Sequence, residues 1–93
     1  MVLRLFIDPE TGRPHIASHR VERHEVLQVL LAPLDTRSGS GDSLLAVGRT
    51  DAGRYLRVVY VPDRSAESVF VITAYDLSPK QRTAFRRRMR RKS

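Results

Sequence analysis

Three features of the sequence predict an α+β fold. Runs rich in β-branched and aromatic residues, LLAVGRT, RYLRVVYV and SVFVITAY, succeed one another across short turns. An amphipathic run, VERHEVLQVLLAPL, precedes them, and a strongly signalled helix start, SPKQ, follows them. With the apolar run VLRLFI at the beginning, the order is β-α-α-β-β-β-α. That order predicts a small four-stranded, mainly antiparallel sheet with helices packed on one face. Ninety-three residues suit a single domain, 1–93, with one modest core.

VLRLFI places the first strand at residues 2–7. Asp8-Pro9 ends it, because proline lacks a backbone donor and restricts the residue before it. Residues 9–20 are polar, contain His15 and His19, and have room for one or two helical turns. The first long helix spans 22–31, with Val26, Leu27, Leu30 and Leu31 on one stripe and Arg23, Glu25 and Gln28 facing outward. Pro33 stops it. Residues 35–43, DTRSGSGDS, have the composition of a flexible loop inside the domain. Asp51-Ala52-Gly53 turns one strand into the next, since glycine accepts positive φ cheaply. VPDRSAES makes a second turn. In the last helix, about 79–91, Ser78 suits the N-cap, Pro79 the first turn and Gln81 the third position, which together form a capping box. Phe85 and Met89, four apart, are its docking residues.

The formal net charge of +7 is concentrated at one end. Residues 80–93 hold eight Lys/Arg and no acid, whereas residues 1–79 hold nine basic and ten acidic side chains. A basic patch of this kind attracts polyanions in a salt-dependent way; a solvated helix face has the same composition. There is no cysteine, which excludes disulfides and thiolate metal sites. The apolar runs are too short to span a bilayer, and MVLRLFIDPE is too short and polar for a secretory signal, so a cytoplasmic protein is expected.

Residue alternation puts Tyr55 and Arg57 on one face of their strand and Leu56, Val58 and Tyr60 on the other. On an open sheet face, Arg57 offers a fork for phosphate oxygens and Tyr55 a ring for stacking, with Arg49 and Arg54 in the same hairpin. The same residues also suit an ordinary exposed strand. His15, His19 and His24 fall close together, and His15 and His19 have helical i,i+4 spacing. Without cysteine or an HExxH glutamate they predict no metal site. His19 has the chemistry of a general acid or base. No GxSxG elbow is present, and SGSGDS lacks the lysine of a phosphate-binding loop.

The segments HIASHRVERHEVLQVL, GRTDAGRYLRVVY and VITAYDLSPKQRTAFRRR resemble the BrnT family, RelE-like toxins of bacterial type II toxin–antitoxin systems. The resemblance runs from about Asp8 to Arg88, with SHRV (18–21) in place of the family's KHGV-like segment. It implies a RelE-like fold, a cognate antitoxin, and metal-independent cleavage of RNA, free or on the ribosome, with no cofactor. In such cleavage the 2′-hydroxyl attacks the adjacent phosphate, and cations stabilise the charge that develops. On the toxin reading the expected catalytic set is Arg57, Tyr75, His19 and Arg82, with Tyr75 to stack a base, His19 to handle protons and Arg82 with Arg86 to replace an arginine the family expects, while Arg49, Arg54, Tyr55, Arg86, Arg87 and Arg90 bind RNA. At three positions the sequence departs from the family. Tyr75 stands for an expected arginine, Gln81 for a glutamate and Phe85 for a tyrosine. Those departures support an alternative expectation, a noncatalytic basic module that binds RNA or protein.

Overall fold

The computed structural model describes residues 1–64 and 67–92. The elements are β1 (Val2–Leu5), a 3₁₀ helix (His15–His19), α1 (Arg23–Leu31), β2 (Asp35–Ser38), β3 (Leu44–Arg49), β4 (Tyr55–Pro62), β5 (Ser68–Asp76) and α2 (Pro79–Lys92). The strands form one five-stranded sheet in the order β1-β5-β4-β3-β2. The tip of the predicted turn VPDRSAES, Ser65 and Ala66, lies outside the described residues.

The α+β class holds, but the four-stranded expectation is corrected to five. The additional strand is β2, DTRS, within the segment expected to be a loop. It lacks apolar alternation, so its composition hides it. Its pairing comes from the neighbouring backbone: Asp35, Thr36, Arg37 and Ser38 lie opposite Val47, Ala46, Leu45 and Leu44. A polar strand is tolerated at an edge, where charge also discourages pairing with a further chain. The sheet is mixed because β1 runs parallel to β5, Leu3 opposite Val69 and Leu5 opposite Val71. The first strand stops at Leu5, and Ile7 makes only an isolated bridge to Pro14.

The helices do not share one face, which corrects the second part of the expectation. Ala46 and Val47 are adjacent in β3 and therefore point to opposite sides. Ala46 packs in the main core with Val26, Val29 and Leu30 of α1, Ile16 of the 3₁₀ helix, and Leu56, Val58, Val71 and Ala74 of the sheet. Val47 packs in a smaller core with Leu77 and Phe85, flanked by Tyr55 and Met89. The 3₁₀ helix and α1 thus cover one face, and α2 covers part of the other. The last helix has the predicted capping box: Gln81 N–H donates to Ser78 Oγ at 3.1 Å, and Ser78 N–H donates to Gln81 Oε1 at 2.9 Å.

The buried stripe of α1 is Val26, Val29 and Leu30, whereas Leu31 is 63% exposed. Gly48 accounts for this rotation. A Cβ at that position would lie 2.9 Å from Val29 Cγ1 and 3.2 Å from its Cα, so the bare glycine lets Val29 press onto β3. Gly48→Ala is expected to destabilise the protein by about 1–3 kcal/mol through overpacking. Urea unfolding measures the loss, and Val29→Ala in the same chain should recover part of it.

Candidate nucleic-acid interface

The β3–β4 hairpin turns at Thr50–Gly53, where Gly53 has φ of 90° and its N–H donates to Thr50 C=O. The turn is tied to α1 by Asp51 N–H, which donates to Gln28 Oε1 at 2.9 Å. This places Arg54 in the gap between the 3₁₀ helix, α1 and the end of β5. Its Nε and Nη2 grip Asp76 at 2.7 and 2.9 Å, and Nη1 reaches Glu25 at 3.0 Å. The remaining N–H groups donate to the carbonyl oxygens of Arg20 (2.8 Å) and His19 (3.1 Å). All five donors of this guanidinium therefore face protein acceptors. Arg54, expected as a phosphate ligand, is a structural clamp that holds the end of the 3₁₀ helix. The clamped turn includes Arg20, the single described non-glycine residue with positive φ, at 56°.

Hydrogen bonds from Arg54, the strongest influence, hold the Asp76 carboxyl below its usual pKa. The native protein therefore releases this proton more readily than the unfolded chain does. The stabilisation is complete above the ordinary carboxylate value, about pH 4, and is lost as pH falls through the lowered native value. Asp63, hydrogen-bonded first by Arg4 and then by Ser68, is shifted in the same direction. Melting temperatures measured from pH 6 down to pH 2 should fall less steeply for Asp76→Asn than for the parent. An equally steep fall would remove the Arg54 pair as a source of acid sensitivity.

The clamp fixes the backbone that carries His19. The His19 ring lies 5.9 Å from that of Tyr75 on β5, and Tyr75 pairs directly with Arg57 on β4. Arg57 in turn pairs with Val47, and Val47 with Asp35 on β2. One row across the sheet is therefore Tyr75, Arg57, Val47 and Asp35, with His19 beside its β5 end. Three of the four expected catalytic residues, His19, Tyr75 and Arg57, are brought together by this row. Arg82 is not: its guanidinium sits over the Tyr55 ring at 5.1 Å, with Arg49 also against that ring at 6.0 Å. Tyr55 and its two arginines form a neighbouring cationic spot two residues along β4.

Two polar atoms in this region are buried without a hydrogen-bond partner among the described residues, Arg57 Nε and Thr73 Oγ1. Thr73 pairs with Val59, the next residue on the Arg57 side of β4, so Arg57 and Thr73 are diagonal neighbours within reach of a long side chain. Native proteins seldom leave such groups unpaired, but both atoms are shut off from solvent in this conformation, so a ligand reaches them only when the side chains over them move. A guanidinium donor beside a hydroxyl suits a phosphate oxygen. Thr73 was not expected from the sequence, where it reads as an ordinary β-branched strand residue.

The arginines of α2 divide by position. Arg88 pairs at 3.1 Å with Asp35, whose side chain is 2% exposed. That ion pair fastens α2 to the edge strand, and Arg37, Arg57, Gln81 and Phe85 line the same crevice. Arg86 and Arg90 rim an apolar hollow formed with Leu34, Tyr55, Phe85 and Met89. Arg87 is exposed. Among the described residues no three His, Cys, Asp or Glu side chains gather as a metal site, and no helix is long and apolar enough to cross a membrane. Compared with protein-family models, curated proteins and solved structures, the chain shows no match.

Proposed function

We propose that the protein is a RelE/BrnT-like toxin of a type II toxin–antitoxin system, a metal-independent ribonuclease held in check in the cytoplasm by a cognate antitoxin. The observation that carries this reading is the row His19–Tyr75–Arg57 beside the unpartnered Arg57 Nε and Thr73 Oγ1. A phosphodiester placed at this row meets the Arg57 guanidinium, the His19 imidazole and the Tyr75 ring. His19 takes the proton of the 2′-hydroxyl as its oxygen bonds to phosphorus. Arg57 stabilises the negative charge that accumulates on the phosphorane oxygens. The bond to the 5′-oxygen breaks, leaving a 2′,3′-cyclic phosphate, and water at this open face protonates the leaving oxygen. Tyr75 stacks against a base next to the cleaved bond. Arg49, Arg82, Arg86 and Arg87 supply longer-range attraction for the RNA backbone.

The test is inducible expression without the neighbouring genes, with purified protein assayed on free and ribosome-bound RNA in the presence of a chelator. Growth arrest and chelator-resistant cleavage are the expected results. Normal growth with abundant folded protein, together with intact RNA in both assays, would sink the reading.

A second reading, a noncatalytic RNA-binding or protein-interaction module, is favoured by what α2 does with two of the departed family positions. Gln81 spends its side chain on the helix cap, and Phe85 is buried in the smaller core. Phe85 has no hydroxyl to offer reacting atoms, and the Gln81 carbonyl oxygen is committed to the cap. RNA binding without cleavage in the same assays would select this reading.

A further inference from the structure

The sheet face that carries Arg57 and Tyr75 is only partly covered. The packing of α2 falls on Asp35, Val47, Tyr55 and, at the margin of its crevice, Arg57, that is, on β2, β3 and the start of β4. On β5 the rings of the same face meet the N-terminal segment instead. Phe70 lies 6.4 Å from Phe6, Phe6 lies 6.2 Å from His15, His15 lies 5.6 Å from His19, and His19 lies 5.9 Å from Tyr75. Five rings, from β5, the 3₁₀ helix and the segment after β1, are thus linked in a file by successive contacts that begin and end on β5.

Several features distinguish this file from a piece of core. Phe6 is 39% exposed, His19 is exposed, and the other three rings are half-buried. None of the five belongs to either core cluster. Every ring pair is tilted or edge-on, so the rings do not stack face to face on one another. Charge along the file is balanced: Asp8 sits 3.7 Å from His15, and Arg4, whose guanidinium lies over Phe70, is paired with Asp63. One end of the file is Tyr75, beside the unpartnered Arg57 Nε and Thr73 Oγ1.

We propose that Tyr75, His19, His15, Phe6 and Phe70 form a stacking track for an unpaired RNA strand, leading away from a phosphate held at Arg57. Exposed aromatic rings on a sheet face bind single strands because every base offers a π-face. The ring spacing, 5.6 to 6.4 Å, is well beyond the roughly 3.4 Å step of a stacked strand. The track therefore takes an extended strand with separated bases and rejects a duplex. The strongly basic α2 lies across the same face and favours a polyanion over an apolar or acidic occupant. The track rests on the RNA reading for its anchor at Arg57, but its outer end, Phe6 and Phe70, takes no part in the cleavage chemistry.

The probe is a labelled eight-nucleotide RNA with 2′-O-methyl riboses, which cannot be cleaved, titrated against the full chain by fluorescence anisotropy. A trinucleotide and an eight-unit abasic strand serve as comparisons. Phe6→Ala and Phe70→Ala should each weaken binding of the eight-mer by about tenfold. Both should leave the trinucleotide and the abasic strand unaffected. Phe6→Tyr, which keeps a ring, should bind the eight-mer like the parent, and circular dichroism checks that each variant is folded. Unchanged eight-mer binding in folded Phe6→Ala and Phe70→Ala proteins, or an equal loss for the abasic strand, would overturn the track. Cleavage by the parent chain reports separately on the ribonuclease reading. If RNA stays intact while Phe6→Ala still weakens the eight-mer, the nuclease reading fails and the track stands. If the parent cleaves and Phe6→Ala binds normally, the track fails and the nuclease reading stands.

Discussion

Replacing His19 with glutamine is expected to lower the RNA cleavage rate by about 10²- to 10⁴-fold, the usual contribution of a positioned general base. Folding should be spared, because the hydrogen bond that ties His19 to the clamp runs from Arg54 Nη2 to its backbone carbonyl, and the ring makes only exposed contacts with His15 and Tyr75. The exposed ring can change chemistry without emptying the core. The loss should appear in kcat, since in the proposed mechanism the imidazole acts on the reacting hydroxyl rather than on the strand as a whole. Tyr75→Phe and Tyr75→Leu separate two roles of the neighbouring ring. The phenylalanine variant keeps a stacking face and should cleave nearly as well as the parent. The leucine variant should raise KM, by up to about tenfold if one base is stacked. Single-turnover cleavage of a short RNA gives both constants. An H19Q protein that cleaves at the parental rate removes His19 from the mechanism, and the Tyr75 pair then shows whether the row binds RNA at all.

Arg54→Met is expected to have the largest effect on stability of any single charge removal, about 3 kcal/mol. It takes away the guanidinium donors that Glu25, Asp76 and the carbonyls of His19 and Arg20 share in this gap. Glu25, whose side chain is 13% exposed, would be left with a charge and no cation beside it. Much of the expected loss is that stranded carboxylate rather than the pair itself. The loss should therefore shrink when Glu25→Gln and Asp76→Asn accompany it, and urea unfolding of the single and triple variants measures the difference. Arg54→Lys should fail to restore stability, because an ammonium cannot span four acceptors in a planar fork. Amide exchange at residues 17–21 should accelerate in Arg54→Met, since the clamp holds that turn. Cleavage should fall as well, through misplacement of His19. Full stability in Arg54→Met would show that the network is incidental.

Tyr55, Arg57, Val58 and Tyr60 illustrate what could be read in advance. Strand alternation is local, so the split between faces follows from spacing alone, and Leu56 and Val58 are indeed fully buried on the α1 side. The α2 start was equally legible, because a capping box involves residues three apart. Other features depend on partners far away in sequence. DTRS becomes a strand only because β3 presents an edge to it and Arg88 covers Asp35. Leu31 lost its expected place in the core because Gly48 draws Val29 inward. Arg54 looked like any other arginine of a basic protein until four acceptors from three elements closed around it.

For the candidate site the division is similar. Arg57, Tyr75 and His19 were singled out by residue type and by the family resemblance, but their juxtaposition required the pairing of β4 with β5 and the clamp on the 3₁₀ helix. Thr73, Phe6 and Phe70 carried no signal in the sequence. A threonine and a phenylalanine in a strand suit either a core or a surface, and only the uncovered half of the sheet distinguishes them. The sequence by itself determined the α+β class, the split of Tyr55 and Arg57 from Leu56 and Val58 on β4, the cap of α2 and the concentration of positive charge, because each depends on neighbours within a few positions. The tertiary structure alone decided the fifth strand, the parallel β1–β5 pairing, the side on which α2 lies and the union of imidazole, ring and guanidinium. Each of those depends on contacts between segments remote in the chain, where packing and backbone pairing override local preference.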